Sequence, residues 1–575
     1  MNLFYLFHFI NLYIIVILLK EHECAKPPCQ SEIYCKGELL HTVQMAKIYP
    51  DSKTFVDKKL KVSVKQVLEN YNETFKHFNN FNKEVPRELV KRFVNDNFED
   101  GNELKIWVPP DWTHHPTILS NIDNLYLRKW ANKLNNLWKT FSRKVTDQVK
   151  ENPELYSSIY VPNGFIIPGG RFKELYYWDT YWIVNGLLIC DMVQTAKGMI
   201  ENLLYLVKVF GHVPNGSRVY YLQRSQPPML TLMVESYFMH TGDLNFVKNN
   251  IEILDKEINY WLDKRSINIM KNGVTHTLYR YFALSSGPRP ESYREDFETT
   301  IVSSNDTERF LRYIAIKSAA ESGWDFSSRW FSSGGTNEGN LTDTMTQNII
   351  PVDLNALLHK SFIILLEWYK ILGDNEKIQK YTRLSVSTLK AIEEVLWSKE
   401  EEFWCDYDIV HQKSRNYFYM SNFVPLWTKS YRFQPMDLTR IVLNYITKYN
   451  LQYYPGGTPS SLKYTGEQWD FPNAWPPLQA FFIQGLDRIG SIPASEAAFF
   501  FANRFIHSSY KGFKETGFMF EKYDSLEAGK TGGGGEYEGQ TGFGWTNGLI
   551  FEFFKRWGSR LHVLMPLPIQ YFSNC

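Results

Sequence analysis

The sequence predicts an all-α fold built from helical hairpins in series, and two observations carry that prediction. Apolar residues recur at spacings of three and four over long stretches, which are separated by short breaks containing glycine and aspartate. The strict alternation of apolar and polar residues that marks a half-buried strand is scarce. Serial hairpins without a strict repeat motif favour an α/α toroid whose loops at one end form the site. An elongated helical solenoid is the alternative that periodicity leaves open.

Four helices show the periodicity best, and they form two consecutive pairs. The breaks that end the first helix of each pair are residues 241–243 (TGD) and 373–375 (GDN). Glycine is the usual residue just past the end of a helix, and aspartate is a preferred first cap of the next one. The apolar positions are Leu230, Val234 and Tyr237, then Ile251, Leu254, Ile258 and Trp261, in the first pair, and Leu354, Leu358, Phe362, Leu365, Tyr369 and Leu372, then Val386, Leu389, Ile392 and Leu396, in the second.

Composition indicates a large globular protein with a neutral partner. Of the 575 residues, 44% are hydrophobic and 16% aromatic, which is enough for a large core and an aromatic-lined cleft. Lysine and arginine number 63 against 62 aspartates and glutamates, so the formal net charge is +1. Without an excess of one sign there is no field to attract nucleic acid or an anionic membrane surface.

The N-terminus predicts export from the cell. The apolar run from Leu3 to Leu19 is shorter than the about 20 residues that a membrane-spanning helix needs, and it suits the apolar core of a secretory signal peptide. We predict a cleaved signal peptide at residues 1–24, one catalytic domain at residues 25–575, and a secreted protein. An uncleaved N-terminal membrane anchor is the alternative. No later stretch is long and apolar enough to span a bilayer.

Glycosylation signals and cysteines fit an oxidising compartment. Cys29 and Cys35 are close enough in sequence to pair, whereas Cys190 lies in an apolar run and is predicted to be a core thiol. Asn215 begins a glycosylation sequon, but its neighbours indicate a different role. Three further sequons predict glycans on surface loops, at Asn72, Asn305 and Asn340.

The stretch PGGRFKELYYWDTYW, residues 168–182, has more polar and aromatic residues than a core helix needs. Aromatic rings fit the weakly apolar C–H faces of a pyranose, and polar groups bind its rim of hydroxyls. Arg171, Trp178 and Asp179 supply both kinds of contact, which indicates a sugar site. The two glycines permit a sharp loop, after which one helical face is predicted to carry Glu174, Trp178, Tyr181 and Trp182. A tight turn before a packed aromatic helix is the alternative.

Two proline-stiffened loops present further polar groups. Residues 214–228 contain Asn215 and then the run Arg224, Ser225 and Gln226, and residues 287–293 contain Arg289, Pro290 and Glu291. Rigid loops position polar groups with little loss of entropy on binding. For each loop, a surface turn with a solvated ion pair is the alternative.

Two tryptophan-rich loops each contain a carboxylate. In ESGWDFSSRW, residues 321–330, Asp325 lies between aromatic rings, where low polarity raises the carboxyl pKa and favours a proton-donating acid. The alternative is an aspartate that caps a helix or pairs with Arg329. In QWDFPNAWPP, residues 468–477, Trp475 is either a pocket wall or a packing residue.

The last polar cluster combines Glu521, the glycines at 532–535, and Glu536. Four consecutive glycines predict a flexible lid or a tight wall of a small cavity, with a linker as the alternative. No Gly-Lys-Ser/Thr follows them, and the setting of a dinucleotide fingerprint is missing. The histidines lack the HExxH spacing, so we predict no metal and no other cofactor.

These stretches occur in the same order in the trehalases of glycoside hydrolase family 37, which this sequence resembles. PGGRFKELYYWDTYW and QWDFPNAWPP match the two signature patterns of that family, and the resemblance covers roughly residues 40–565. Between and after the signatures come PNGSR, RSQPP, RPESY, ESGWDFSSRW, EKYD and GGGGEYEGQTGFGWTNG. Several long motifs in one order make the resemblance highly specific.

The resemblance implies an (α/α)6 barrel that hydrolyses α,α-trehalose to two glucose molecules with inversion. It implies that Asp325 is the general acid and Glu521 the general base, roughly 6.5–9.5 Å apart as inverting hydrolysis requires. Three arginines near the site are expected to keep the base ionised. The implied substrate-binding residues are Arg171, Trp178, Asp179, Asn215, Arg224, Ser225, Gln226, Arg289, Pro290, Glu291, Gly323 and Glu536. The alternatives are another disaccharide-active toroid glycosidase or phosphorylase, and a non-catalytic trehalose-binding protein.

Overall fold

The structure, a computed structural model, describes residues 26–78 and 85–564. The predicted signal peptide at residues 1–24 lies outside these residues. Helices dominate the described chain, so the all-α prediction is confirmed. In chain order the helices are α1 (Glu38–Met45), α2 (Lys53–Val56), α3 (Val64–Phe75), α4 (Arg87–Asn97), α5 (Leu125–Thr140), α6 (Asp147–Glu151), α7 (Asp179–Ile189), α8 (Val193–Phe210), α9 (Leu230–Thr241), α10 (Leu244–Arg265), α11 (Tyr293–Thr300), α12 (Asp306–Glu321), α13 (Val352–Leu372), α14 (Asn375–Ala391), α15 (Val424–Thr428), α16 (Pro435–Lys448), α17 (Pro476–Arg488), α18 (Ile492–Thr516) and α19 (Gly544–Trp557).

Six of these helices pack side by side in a closed ring. Helix α7 packs on α9, α9 on α13, α13 on α15, α15 on α17, α17 on α19, and α19 packs back on α7. Between successive inner helices the chain returns along the outer helices α8, α10, α14, α16 and α18, and α5 lies against α19. The fold is therefore an (α/α)6 toroid, and closure of the ring excludes the elongated solenoid.

The direction of the inner helices determines where a site can form. Because an outer helix carries the chain back between each inner helix and the next, all six inner helices run the same way. Their N-terminal ends meet at one end of the barrel. Helix N-termini carry partial positive charge and favour negative groups nearby.

The predicted breaks work as expected. Helix α9 ends before Gly242, whose φ of 71° lies in the left-handed region, and the Asp243 side chain accepts a hydrogen bond from the N–H of Phe246 at 3.0 Å to cap α10. Gly373 and Asp374 do the same between α13 and α14. Both predicted helix pairs are thus confirmed.

Two details of the helix predictions are wrong. Val386 on the outer helix α14 is 58% exposed, and the face that this helix buries carries Tyr381, Ser385, Thr388 and Ala391. An outer helix covers its neighbours with a narrow stripe, in which small polar residues can replace apolar ones. Further upstream, α7 begins only at Asp179, so Glu174 and Trp178 precede the helix and share no helical face with Trp182.

The strands form small antiparallel sheets between the helices. Most pair two or three residues, and the hairpin of β6 with β7 is the longest. The strands are β1 (Lys59–Leu60), β2 (Phe98–Glu99), β3 (Leu104–Ile106), β4 (Ser142–Val145), β5 (Phe165–Ile166), β6 (Ser266–Lys271), β7 (Val274–Tyr279), β8 (Ile349–Ile350), β9 (Trp397–Ser398), β10 (Phe403–Trp404), β11 (Tyr407–Asp408), β12 (Lys413–Ser414), β13 (Asn473–Ala474) and β14 (Tyr523–Asp524).

The N-terminal lobe, residues 26–78 and 85–99, has a small apolar core of its own that includes Tyr176, Tyr220 and Tyr221 from the barrel loops. This shared core fixes the lobe to the barrel end where the inner helices begin. Cys29 and Cys35 form a disulfide in the lobe, with Cα atoms 5.4 Å apart, whereas the thiol of Cys190 is free and buried as predicted. Within the described ranges, no helix combines the length and apolar character needed to cross a bilayer.

Candidate active site

A cavity lies where the inner helices begin, and its lining combines aromatic rings with converging polar groups, as is typical of small-ligand pockets. Trp178 immediately precedes α7 and Asp179 begins it, Gln226 lies just before α9, Trp475 precedes α17, and Trp545 is in the first turn of α19. The toroid thus brings together residues that are hundreds of positions apart in sequence. Of the predicted site residues, Ser225 and Pro290 do not line this cavity. The predicted residues that line it are Arg171, Trp178, Asp179, Asn215, Arg224, Gln226, Arg289, Glu291, Gly323, Asp325, Glu521 and Glu536.

Ser225 and Pro290 hold the loops whose neighbours reach the cavity. The Ser225 hydroxyl donates to the carbonyl of Val213 at 2.7 Å, and its N–H donates to the buried carboxylate of Glu321. The Pro290 carbonyl accepts from the side chain of Gln44. Both residues are buried, and both support the loops.

The glycine turn at 169–170 is needed for close backbone approach. Gly169 has φ of 136°, and a Cβ there would lie 2.1 Å from the carbonyl oxygen of Gly542. The turn presents Arg171, whose guanidinium makes a two-bond contact with Asp51 at 2.8 and 2.9 Å. Asp51 comes from the N-terminal lobe, which also contributes Lys53 to the cavity wall.

The polar loops form a buried network of arginines and carboxylates. Arg289 pairs with Asp296 and with Glu536, each at 2.7 Å, although only 2% of its side chain is exposed. Arg224 pairs with Glu291 at 2.5 Å and donates to the Asn215 side chain at 2.9 Å. The solvated surface pair considered from the sequence is therefore wrong for both loops.

Asp325 is partly exposed to the cavity. Burial raises its carboxyl pKa above the usual value, although Arg289 and Arg224 act in the opposite direction. Arg329 is not its partner, because that guanidinium pairs with Asp353 and Asp406. A raised pKa keeps a carboxyl protonated and available as a proton donor.

Glu521 lies in a denser set of donors. Its carboxylate accepts from the Tyr537 hydroxyl at 3.0 Å and from the Gln540 N–H at 3.2 Å, and the Lys522 ammonium lies 3.9 Å from it. Burial raises the pKa of Glu521, while Lys522, the two hydrogen bonds and Arg171 oppose that rise. Of the three arginines expected to keep this base ionised, Arg171 contributes, but the largest opposing effect comes from Lys522, which the sequence did not indicate.

Three further carboxyls face the cavity. Burial raises the pKa of Asp179 to about 8, with Glu521 and Asp325 adding to the rise, and burial raises that of Glu536 to about 7 despite Arg289. Burial would also raise the pKa of Glu291, but its arginine partners bring it below the usual value. The cavity therefore holds carboxyls in both protonated and ionised states near neutral pH. Across the described residues, no three His, Cys, Asp or Glu side chains are grouped to hold a metal ion.

Aromatic rings line the remaining sides of the cavity, and the glycine run is held by hydrogen bonds. Trp469 and Trp475 stack at 3.8 Å, and both line the cavity, so Trp475 serves packing and pocket wall at once. The glycine run is fixed to the neighbouring loop, because Gly533 exchanges two hydrogen bonds with the Asn473 side chain. The run is thus held in place and the linker alternative is wrong, but none of its four glycines lines the cavity, so the predicted wall is not formed by the glycines themselves.

The sequence missed several residues that line the cavity or hold its lining residues. Asp51 pairs with Arg171 across 120 positions, and Lys53 belongs to the same short lobe segment. No local motif marks these residues, and only their partners in the fold reveal them. Further lining residues without a sequence prediction are Phe172, Tyr176, Tyr221, Ser292, Ala320 and Phe543.

The comparison with family models identifies the family of this chain. The trehalase family matches residues 47–558. The trehalase of Apis mellifera is 46% identical over 552 residues, covering 95% of this chain and 88% of its own, and the trehalase of Homo sapiens is 44% identical over 544 residues, covering 94% and 92%. The solved neutral trehalase of Saccharomyces cerevisiae superposes with a TM-score of 0.56 at 22% identity, covering 72% of this chain and 77% of that one, which bears on the fold alone.

Proposed function

This chain belongs to the trehalase family and hydrolyses α,α-trehalose to two glucose molecules, and from that premise we propose that Asp325 and Glu521 carry out the cleavage with inversion. The observation that supports the pair best is that both carboxyls line one cavity from separate loops. Asp325 donates a proton to the glycosidic oxygen. Glu521 removes a proton from the water that attacks the opposite face of the sugar ring.

The surroundings of the two carboxyls fit these roles. Glu521 accepts two hydrogen bonds beside an ammonium group, which favours its ionised form in spite of burial. Asp325 has a pKa raised by burial and is partly open to the cavity, as a proton donor requires. Burial raises the pKa of both carboxyls, and the adjacent ammonium with the two hydrogen bonds distinguishes Glu521 as the base of the pair.

We assign the remaining polar groups to substrate binding. The Arg224 and Arg289 networks present fixed donors to sugar hydroxyls, and buried carboxyls such as Asp179 and Glu536 accept from them. Trp178 and the stacked tryptophans offer flat faces to pyranose C–H groups. Groups already held in place by their partners lose little entropy on binding.

Proton NMR of the purified protein with trehalose tests the reaction and its stereochemistry. Trehalose joins two α-anomeric centres, so inversion at the cleaved ring gives one β-glucose and one α-glucose per bond. We expect equal early signals of the two anomers before mutarotation mixes them. α-Glucose alone would indicate retention and overturn both roles, and unchanged trehalose would overturn the reaction itself.

We also propose that the protein is a secreted glycoprotein, released after removal of residues 1–24 as a single catalytic domain. The Cys29–Cys35 disulfide supports an oxidising compartment. The sequon asparagines Asn72, Asn305 and Asn340 are exposed, as a glycan requires.

The fourth sequon is expected to remain unmodified. Asn215 is 5% exposed, lines the cavity and accepts a hydrogen bond from Arg224, so a glycan there would block the site. Peptide mapping after enzymatic deglycosylation in ¹⁸O water should label the exposed sequons and leave Asn215 unlabelled. A labelled Asn215 in fully active protein would contradict both its burial and its contact with substrate.

A further inference from the structure

The loop that carries Asp325 is joined to residues 468–470 by consecutive hydrogen bonds. The Gln468 side chain donates through Nε2 to the carbonyl oxygen of Asp325 at 2.5 Å. The N–H of Trp469 donates to the carbonyl of Phe326 at 3.0 Å. The carboxylate of Asp470 accepts from the two serines that follow Phe326. These contacts fix the backbone of Asp325 to one neighbouring segment.

The same segment is joined to Glu521 on its other side. The Lys522 ammonium donates to Oε1 of Gln468 at 2.8 Å, and it lies 3.9 Å from the Glu521 carboxylate. A few residues further on, β13 pairs with β14, which begins two positions after Glu521. The amide of Gln468 therefore contacts the acid loop through its nitrogen and the base segment through its oxygen.

The two side chains that join these segments are buried. Gln468 is 1% exposed and Lys522 is 0% exposed. The ammonium lies over the rings of Trp475 and Tyr537, at 4.9 and 5.2 Å from their centroids. A Cβ on Gly535 would lie 2.8 Å from Cβ of Gln468, so the glycine run leaves room for the amide. A buried polar group that loses its partner is costly, so the two side chains hold each other in one arrangement.

We propose that Gln468 and Lys522 form a positioning bridge that sets the separation of the Asp325 loop from the Glu521 segment. This inference rests on the proposed catalytic roles of Asp325 and Glu521. Inverting hydrolysis leaves room for one water between the two carboxyls, and a displacement of about 1 Å can lower turnover about 10²-fold. Neither bridge residue needs to touch substrate to act in this way.

The bridge also has an electrostatic consequence for Glu521. The charged and titratable groups that face Glu521 are Lys522, Arg171, Tyr537 and Asp179. The ammonium of Lys522 opposes the effect of burial, so its loss raises the pKa of Glu521. Glu521 then needs a higher pH to ionise, so the acid limb of the kcat/KM profile moves to higher pH.

Gln468→Met and Lys522→Met test the two effects separately. We expect Gln468→Met to lower kcat by about 10- to 100-fold with little change in KM, because the Asp325 loop loses the contact that links it to Lys522. Lys522→Met should lower kcat and also move the acid limb upward by about one pH unit. In the double variant the combined loss should be smaller than the product of the single losses, since both changes break one bridge.

A matched control is available on helix α17, which follows the Gln468 segment. Gln484 on α17 also joins two groups, accepting from Trp427 at 2.8 Å and donating to Glu552 at 2.7 Å, away from the cavity. Gln484→Met should leave kcat and the pH profile unchanged. If Gln468→Met does not fold, Gln468→Asn replaces it, because the shorter amide stays polar but spans only one of the two contacts.

Hydrogen exchange gives a measurement that does not depend on turnover. Gln468→Met should increase exchange in peptides covering residues 322–330, while peptides of the β6–β7 hairpin stay unchanged. Unchanged kcat, unchanged exchange, or single losses that multiply fully in the double variant would each overturn the bridge. Absence of trehalose cleavage by the unaltered protein would instead overturn the proposed function, and the exchange result would still decide whether the bridge exists.

Discussion

Asp325→Asn is expected to lower kcat on trehalose by about 10³-fold, equivalent to about 4 kcal/mol of transition-state stabilisation. The amide has nearly the shape of the carboxyl, so KM and thermal stability should change little. The variant has no proton to give to the leaving glucose, whose alkoxide is a poor leaving group. The basic limb of the kcat/KM profile, which reports deprotonation of the acid, should disappear with the carboxyl.

A second substrate separates proton donation from other roles of Asp325. In α-glucosyl fluoride the leaving fluoride needs little protonation, so the variant should hydrolyse it with a far smaller loss than trehalose. Equal losses on the two substrates would show that Asp325 acts through binding or structure, and would remove it as the general acid.

Glu521→Gln is expected to lower kcat by about 10³-fold on trehalose and on α-glucosyl fluoride alike. The attacking water must lose a proton whichever group leaves, so an activated leaving group gives no relief. The glutamine oxygen can accept from the N–H of Gln540, and its amide nitrogen can donate to the hydroxyl of Tyr537, which should preserve the fold.

Azide provides the complementary rescue. It attacks without losing a proton, so it should restore turnover in Glu521→Gln and yield β-glucosyl azide, the product of attack on the opposite face. It should give no rescue in Asp325→Asn. An α-glucosyl azide would indicate retention and overturn both roles, whereas rescue of Asp325→Asn alone would reverse the two assignments.

Glu467→Gln serves as the control for both variants. Burial and the neighbouring Glu536 and Asp470 raise the pKa of Glu467 to about 7, yet this carboxyl does not line the cavity. Its replacement makes the same chemical change close to the site. Activity near that of the unaltered protein is expected on trehalose and on the fluoride.

The local sequence patterns predicted the helices well because each depends on neighbouring residues. The three- and four-residue spacing of α9 and α13, and the glycines that end them, result from packing and backbone geometry within a few positions. The beginning of α7 was predicted too early. Aromatic and polar residues in a folded loop can carry the same spacing as a helix, as residues 174–178 do.

The charge network was beyond prediction from single motifs. Arg289 and Glu291 are two positions apart, but one pairs with Glu536 and the other with Arg224, each far away in sequence. Such partners depend on the closed ring. The resemblance to a family named the catalytic residues, while the roles of Asp51, Gln468 and Lys522 as partners depend on contacts that only the fold reveals.

Closure of the inner ring between α7 and α19 affects when the protein becomes active during its synthesis. The ribosome makes α7 early, and it makes Glu521 and α19 last among the elements of the barrel. A nascent chain that stops before α19 lacks one wall of the barrel, and one that stops earlier also lacks the base. Activity therefore arises only when nearly the whole barrel has been synthesised. Since the first and last inner helices are neighbours, the same ring is also a suitable candidate for circular permutation.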